Sequence, residues 1–146
     1  MFTHLLNNDS QIFGVYFSKY AIGHYLKNFK KKYKGKQWDF TELSIKQDLS
    51  RLSMKNNTTQ TSAQIDELKY NNNRYLAKYD FKIAATKEST KGSGNRCILY
   101  IDNNIKKIDI LLIYNKTDLP KNSSENDFIY GTIKKEYPDI SSIFQL

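Results

Sequence analysis

Two runs of strand-favouring residues flank Asn103-Asn104, and they constrain the fold more than any other feature of the sequence. Residues 96–102 and 105–114 are rich in Ile, Leu and Tyr and follow the two-residue period of a β-strand. The Asn pair suits a tight turn, because Asn tolerates a positive φ. The sequence therefore predicts an antiparallel hairpin.

A two-residue turn gives this hairpin two faces of different character. The apolar face, predicted to be core, carries Cys97, Leu99, Ile101, Ile108 and Ile110. The opposite face is mixed and carries Arg96, Ile98, Tyr100, Lys107 and Asp109. We therefore expect a half-covered antiparallel sheet.

The N-terminal part predicts a strand followed by a helical hairpin. Residues 11–17 are apolar and aromatic, and Ser18 can cap a helix that runs to about Tyr33. Thr41 can cap a second helix. The apolar residues of the first helix are Ile22, Tyr25, Leu26, Phe29 and Tyr33, and those of the second are Leu43, Ile45, Leu49 and Leu52.

The remaining segments predict a further strand over 76–86 and a last helix over 125–136. Ser123 or Ser124 caps that helix and Tyr137-Pro138 ends it. Between the two halves, 53–74 is predicted to be an insertion. Within it, Thr61 and Gln64 form a capping-box pair before a short helix around Ile65 and Leu68. The expected fold class is α+β, with a single domain over residues 1–146.

Composition narrows the class of protein. With 146 residues, 39% hydrophobic and 14% aromatic, the chain can build one core and is too apolar to be disordered. No apolar run reaches the roughly 18 residues of a membrane span, and the start MFTHLLNNDS lacks the signal-peptide pattern. A single cysteine, Cys97, allows no internal disulfide. These features predict a cytoplasmic protein without a membrane partner.

The net charge of +8 has two interpretations. A basic surface attracts polyanions such as nucleic acid. However, the chain has 20 Lys and only 3 Arg, with many Asn, Ile and Tyr residues, a pattern that AT-rich coding bias also produces. The charge raises the expectation of a nucleic-acid partner without deciding it.

The sequence lacks several common catalytic patterns. His4 and His24 are its two histidines, too few for a His-based nuclease pair, and the carboxylates form no metal-binding motif. The Gly-rich run KGSGN at 91–95 lacks the Walker sequence and is typical of a hairpin loop. We therefore expect no metal and no cofactor.

The stretch from Leu76 to Pro138 resembles the RelE/ParE superfamily, the toxin components of bacterial toxin–antitoxin pairs. The segments that carry the resemblance are YDFKIAATK (79–87), GNRCILYID (94–102), ILLIYNKTDL (110–119) and ENDFIYGTIKKEYPDI (125–140). The resemblance implies a small twisted antiparallel sheet, an N-terminal helical hairpin on one face and a C-terminal helix. The chain is longer than typical members and poorer in Arg.

The resemblance also implies an activity and partners. Ribonucleases of this family cut mRNA on the ribosome without a metal: the 2′-hydroxyl attacks the adjacent phosphate and expels the 5′-oxygen, which leaves a cyclic phosphate and a free 5′-hydroxyl. Such a reaction needs a base for the 2′-hydroxyl, cations for the charge that develops on phosphorus, and an acid for the leaving oxygen. The implied partners are ribosome-bound mRNA and a cognate acidic antitoxin.

Four residues match the family's catalytic positions, and each has a structural alternative. Arg96 could grip two phosphate oxygens, or it could form an ion pair with Asp109 or another carboxylate. Lys82 and Lys116 could present charge to the cleft, or they could be solvated surface. Tyr130 could stack on a base or transfer a proton, or it could be packed.

Further lysines are candidates for RNA binding. Lys87 is a weaker substitute for a missing second basic residue, since Ala84 occupies that position. The segment KNFKKKYKGK (27–36) could track a phosphate backbone, or it could be a solvated helix end. Its candidate residues are Lys30, Lys31, Lys32 and Lys34.

Three functions therefore remain open at the level of sequence. The first is a ribosome-associated mRNA endonuclease, and Lys116 and Tyr130 favour it. The second is a toxin of the same fold that binds DNA gyrase without nuclease chemistry, and the third is a basic nucleic-acid-binding module. Ala84 favours the latter two.

Overall fold

The computed structural model describes residues 12–52, 54–55, 58–59 and 65–146. Within these residues a five-stranded sheet has the order β1-β7-β6-β5-β4, and β2 and β3 form a separate two-stranded ladder. The strands are β1 (Gly14–Phe17), β2 (Met54–Lys55), β3 (Thr58–Thr59), β4 (Ile65–Asn71), β5 (Arg74–Phe81), β6 (Asn95–Asp102) and β7 (Lys107–Asn115).

The sheet is mixed. Neighbouring strands from β4 to β7 are antiparallel, but β1 lies parallel to β7, with Phe17 opposite Ile110. The expectation of an antiparallel sheet is therefore wrong at β1. The connection between the two strands allows this pairing. After β1 the chain runs through helices that cross one face of the sheet, and two strands joined by such a crossover can lie parallel to each other.

Helices cover both faces of the sheet. A helical run over residues 19–32 consists of α1 (Lys19–Ala21), a π-helical segment (Ile22–Leu26) and α2 (Lys27–Lys32), and α3 spans Lys36–Ser50. The C-terminal helices are α4 (Glu125–Glu136) and α5 (Pro138–Phe144). The fold class is α+β, as the sequence predicts.

The central hairpin separates two apolar clusters. Cys97, Leu99, Ile101, Ile108 and Ile110 are all buried with the residues of the N-terminal helices, which confirms the predicted core face. On the other face Ile98, Leu111 and Leu112 pack with Ile129 and Ile133 of α4. The face that the sequence predicted to be half-covered is thus closed over by the C-terminal helices.

Two predicted features of the N-terminal helices need correction. Ser18 caps the first helix as predicted, since its Oγ accepts a hydrogen bond from the Ala21 amide at 3.1 Å. Thr41 does not cap the second helix, which begins at Lys36. Its hydroxyl instead donates to the Gln37 carbonyl and accepts from the Ala84 amide, both at 2.8 Å, and so ties α3 to the loop after β5. Ile22 and Leu43, predicted to be buried, are about half exposed.

The segment 65–71 is a strand and not the predicted short helix. Thr61 and Gln64 lie outside the described residues, but Ile65 and Leu68 belong to β4. Ile65 packs with the first apolar cluster and Leu68 with the second. Residues three apart face opposite sides of a strand but the same side of a helix, so the spacing alone misled the prediction.

The C-terminal helices are joined and anchored at Tyr137. Of the two predicted caps, Ser123 and Ser124, it is Ser124 that caps α4, and its Oγ accepts from the Asp127 amide at 3.1 Å. The hydroxyl of Tyr137, between α4 and α5, donates to the Leu111 carbonyl at 2.6 Å and lies 2.5 Å from Ser18 Oγ. This residue therefore links the C-terminal layer to both β7 and the start of the N-terminal helical run. Helix α5 has no counterpart in the sequence prediction.

Candidate nucleic-acid interface

Three of the basic residues singled out in the sequence lie at one end of the sheet. Phe81, Asn95 and Asn115 form one cross-strand row over β5, β6 and β7. Lys82 follows the first of these residues, Arg96 follows the second and Lys116 follows the third. The antiparallel order therefore gathers the ends of three strands that are distant in sequence.

Arg96 is engaged in ion pairs, and not with Asp109 as one interpretation of the sequence suggested. Its Nε lies 3.1 Å from Asp80 Oδ1, and its Nη1 donates to Glu125 Oε1. Only 13% of the Arg96 side chain is exposed. Asp80 is its direct cross-strand partner, and Glu125 is the first residue of α4. The guanidinium thus fastens the N-terminus of α4 to the sheet.

Two further side chains complete this group. Lys78 Nζ lies 3.4 Å from Glu125 Oε1, and the Tyr114 hydroxyl donates to Glu125 Oε2 at 2.7 Å. We call the five residues the Arg96 cluster: Lys78, Asp80, Arg96, Tyr114 and Glu125.

The Arg96 cluster shifts the ionisation of its members in opposite directions. Burial alone raises the pKa of the Glu125 carboxyl, but hydrogen bonds from Arg96 and Tyr114 and the charge of Lys78 bring it below its usual value. Burial raises the pKa of Asp80, and the Arg96 charge only partly offsets this effect. Burial lowers the pKa of Arg96, yet its bond to Glu125 leaves it raised overall. Arg96 and Glu125 are therefore a charged pair at neutral pH.

Four members of the cluster were not singled out in the sequence analysis: Lys78, Asp80, Tyr114 and Glu125. Lys78 was hidden in a strand, although it alternates with Leu76 and Asp80 onto the face of Arg96. Glu125 was placed in the last helix without a role, although a carboxylate in the first turn is stabilised by the positive end of the helix dipole. The pairing requires the packing of α4 on the sheet, which no local pattern specifies.

The other predicted site residues are separate from the Arg96 cluster. Lys82, Lys87 and Lys116 are exposed. Tyr130 is half-buried on α4, where Lys69 Nζ of β4 lies 5.4 Å from the centre of its ring. This contact directs Tyr130 toward β4. The lysines of the N-terminal helical run, Lys30, Lys31, Lys32 and Lys34, are all exposed.

A cleft opens beside the Arg96 cluster, at the same end of the sheet. Its volume is about 340 Å³, and it lies between the N-terminal helical run, the end of β7, the turn Lys116–Asp118 with its following residues, and α4. We call it the end cleft, and its lining includes His24, Tyr25, Asn28, Tyr114, Asp118 and Phe128. A smaller polar recess adjoins it, shares Asn28 and Asp118, and includes Lys32.

Aromatic rings form much of the end cleft. His24 stacks on Tyr20 with ring centres 5.0 Å apart and meets Tyr25 edge-on at 4.6 Å. Phe128 meets Tyr114 edge-on at 5.4 Å. His24 and Tyr25 belong to the π-helical segment, a rare conformation that is frequent at functional sites because it displaces side chains from the ordinary helical positions.

Comparison with known proteins gives no relative: no protein-family model matches the chain, and no curated protein or solved structure matches it significantly. Over the described ranges, no cluster of His, Cys, Asp and Glu side chains could hold a metal ion. No helix in the described part of the chain is long and apolar enough to cross a membrane.

Proposed function

We propose that this protein is an RNA-binding protein of the RelE/ParE kind that holds single-stranded RNA along the end cleft. The observation that carries the proposal is the combination of aromatic rings inside the cleft with a lysine, Lys32, in the recess that adjoins it. Single strands bind to proteins by stacking their bases on aromatic side chains and placing their phosphates in a basic groove.

The charge distribution supports this choice of partner. Lys32 lines the recess that adjoins the cleft, and Lys30, Lys31 and Lys34 are its exposed neighbours in sequence. On the other side of the recess, the Lys116 amide donates to the Gly94 carbonyl at 2.9 Å, which fixes Lys116 beside the start of β6. An RNA strand that enters the cleft would therefore pass Lys32 on one side of the recess and Lys116 on the other.

The test is binding of a fluorescently labelled single-stranded RNA of about twelve nucleotides, followed by anisotropy at several salt concentrations. We expect binding that weakens steeply with salt and exceeds binding to duplex DNA of the same length. A protein that binds neither, or that prefers the duplex, would contradict the proposal.

A second candidate function is metal-independent cleavage of mRNA on the ribosome, as a toxin of a toxin–antitoxin pair. The composition of the Arg96 cluster favours it, since an ionised carboxylate, a phenol and two cations are the groups that such a reaction needs. The carboxylate of Glu125 is paired with the guanidinium of Arg96. An RNA phosphate would therefore have to displace that carboxylate before Arg96 could act.

Arg96→Lys tests this second function. It retains the charge but loses the planar fork that can hold two phosphate oxygens. If Arg96 contacts the scissile phosphate, cleavage of ribosome-bound mRNA should fall about 10²-fold or more, with circular dichroism as the folding control. A folded Arg96→Lys protein that cleaves as fast as the wild type would remove Arg96 from the mechanism.

A further inference from the structure

We infer that the end cleft is a binding pocket for one unpaired guanine base. This inference rests on the proposed function for the origin of the ligand, because the base would belong to the bound RNA. It adds a preference for one of the four bases, which the exposed lysines cannot provide.

The size of the cleft suits a single nucleoside. Pockets for small ligands have volumes of roughly 300–1,000 Å³, and the end cleft, at about 340 Å³, is at the lower limit of this range. The flat ring of a base would be bound through its faces by the aromatic side chains. His24 is already held against Tyr20 with ring planes 12° apart, so stacking on it requires little reordering.

Two polar side chains in the lining have unused hydrogen-bonding capacity. Asp118 belongs to the turn after β7, and Asn28 belongs to α2, across the cleft. Among the described residues, neither side chain forms a hydrogen bond or an ion pair with another group. Both are exposed and line the cleft and its adjoining recess. Their polar atoms are therefore available to a ligand.

A carboxylate selects guanine among the four bases. It has only acceptors, and the guanine Watson–Crick edge presents two adjacent donors, N1–H and the N2 amino group. Adenine and cytosine place an acceptor beside their donor, and uracil has a single donor between two carbonyls, so each would face Asp118 with a repulsive group. The Asn28 amide can donate to O6, the acceptor that adjoins N1–H on guanine.

The first experiment uses the wild-type protein with guanosine, inosine, adenosine, cytidine and uridine monophosphates, and measures binding by NMR chemical-shift titration. We expect guanosine monophosphate to bind about tenfold more tightly than the others. Inosine monophosphate, which lacks the N2 amino group, should lose most of this advantage. Equal affinity for all five would overturn the inference and leave the cleft as a non-selective surface.

The second experiment compares Asp118→Asn with Asp139→Asn, an exposed carboxylate on α5. Asp118→Asn should abolish the preference for guanosine monophosphate, and Asp139→Asn should retain it. Over the part of the chain that the structure describes, Asp118 has no side-chain partner that the substitution could break, so both variants should remain folded by circular dichroism. Retention of the preference in Asp118→Asn would refute the assigned contact.

A third measurement separates this inference from the proposed function. Oligouridine of about twelve nucleotides is compared with the same strand carrying one central guanosine. Tight binding of both strands with equal affinity would support RNA binding and refute the guanine pocket. Binding of guanosine monophosphate without binding of either strand would support the pocket and refute RNA binding.

Discussion

At the scale of single residues, Arg96 is a structural anchor whatever else it does. Its positive charge offsets the negative charges of two carboxylates, Asp80 and Glu125, in a site where the three side chains are only 9–20% exposed. Removal of one member of such a group leaves charge without compensation in a poorly solvated place.

Arg96→Ala should therefore destabilise the protein by roughly 2–4 kcal/mol, less than for a fully buried ion pair because some solvent reaches the group. The free energy of unfolding in urea measures the effect. Arg51→Ala, at an exposed helix end, is the matched control and should change stability by less than about 0.5 kcal/mol. Equal stability of the two variants would show that the Arg96 ion pairs contribute nothing net.

The pH dependence of the free energy of unfolding should reveal the ionisation of Glu125. Because its pKa is lowered in the folded state, the folded protein holds this proton less tightly than the unfolded chain does. The stabilisation is fully present above the unfolded pKa of about 4.3 and is lost as the pH falls through the folded pKa. The pKa of Asp80 is raised, so its effect has the opposite sign: the folded protein binds this proton more tightly, and the contribution of Asp80 to stability increases as the pH falls.

Glu125→Gln should accordingly be less stable than the wild type at pH 7, and the difference should shrink as the pH falls below about 4. Urea unfolding at a series of pH values measures it. Glu88→Gln, in an exposed loop, is the control and should follow the wild-type profile. A difference between Glu125→Gln and the wild type that is constant with pH would contradict the charged state assigned to Glu125.

At the scale of elements, α4 depends on its first turn. Ser124 caps the helix, and the next residue, Glu125, provides the link to Arg96. Ser124→Ala should cost about 1 kcal/mol, the usual cost of a lost N-cap. Ser123→Ala, one residue earlier and also exposed, provides a control in thermal unfolding. If the two substitutions had equal effects, the Ser124 hydrogen bond would not stabilise the helix.

Some features of the helices and strands could be predicted from the sequence, and others could not. The alternation of Cys97 with Leu99 specifies which face of β6 is core, because the period of a strand is a local property. Ile65 and Leu68 lie in β4, which has a register shift between Glu67 and Lys69, and neither the strand nor the shift has a distinct local signal.

The candidate site shows the same division. Arg96 was singled out because it matches the arginine position of the RelE/ParE resemblance, and the cap of the last helix was narrowed only to Ser123 or Ser124. Tyr114 and Phe128 could not be assigned to the end cleft, because they meet only when α4 packs against β7. The contribution of His24 depends on the π-helical segment, since an ordinary helix would orient it differently.

At the scale of the whole molecule, the net charge of +8 predicts strong attraction to polyanions, but the position of the charge decides the effect of each lysine. If RNA follows the N-terminal helical run, lysines there should release counterions on binding, and lysines elsewhere should not.

Two matched double variants test this. Lys31→Gln/Lys32→Gln alters the last turn of α2, and Lys134→Gln/Lys135→Gln alters the last turn of α4. The first should lower the slope of log K against log salt by about 1.4, since each single-strand phosphate contact contributes about 0.7. The second should leave the slope nearly unchanged. Equal changes would indicate diffuse attraction without a defined path.

The parallel pairing of β1 with β7 also has a consequence for synthesis of the protein. Ile110, the partner of Phe17, is made long after it, since β4, β5 and β6 are translated in between. At a translation rate of about 5–20 residues per second, β7 is synthesised on the order of ten seconds after β1 and the helices that follow it. During that interval the apolar side of the N-terminal helical run is uncovered. The nascent chain should therefore be a substrate for chaperones until its C-terminal third emerges.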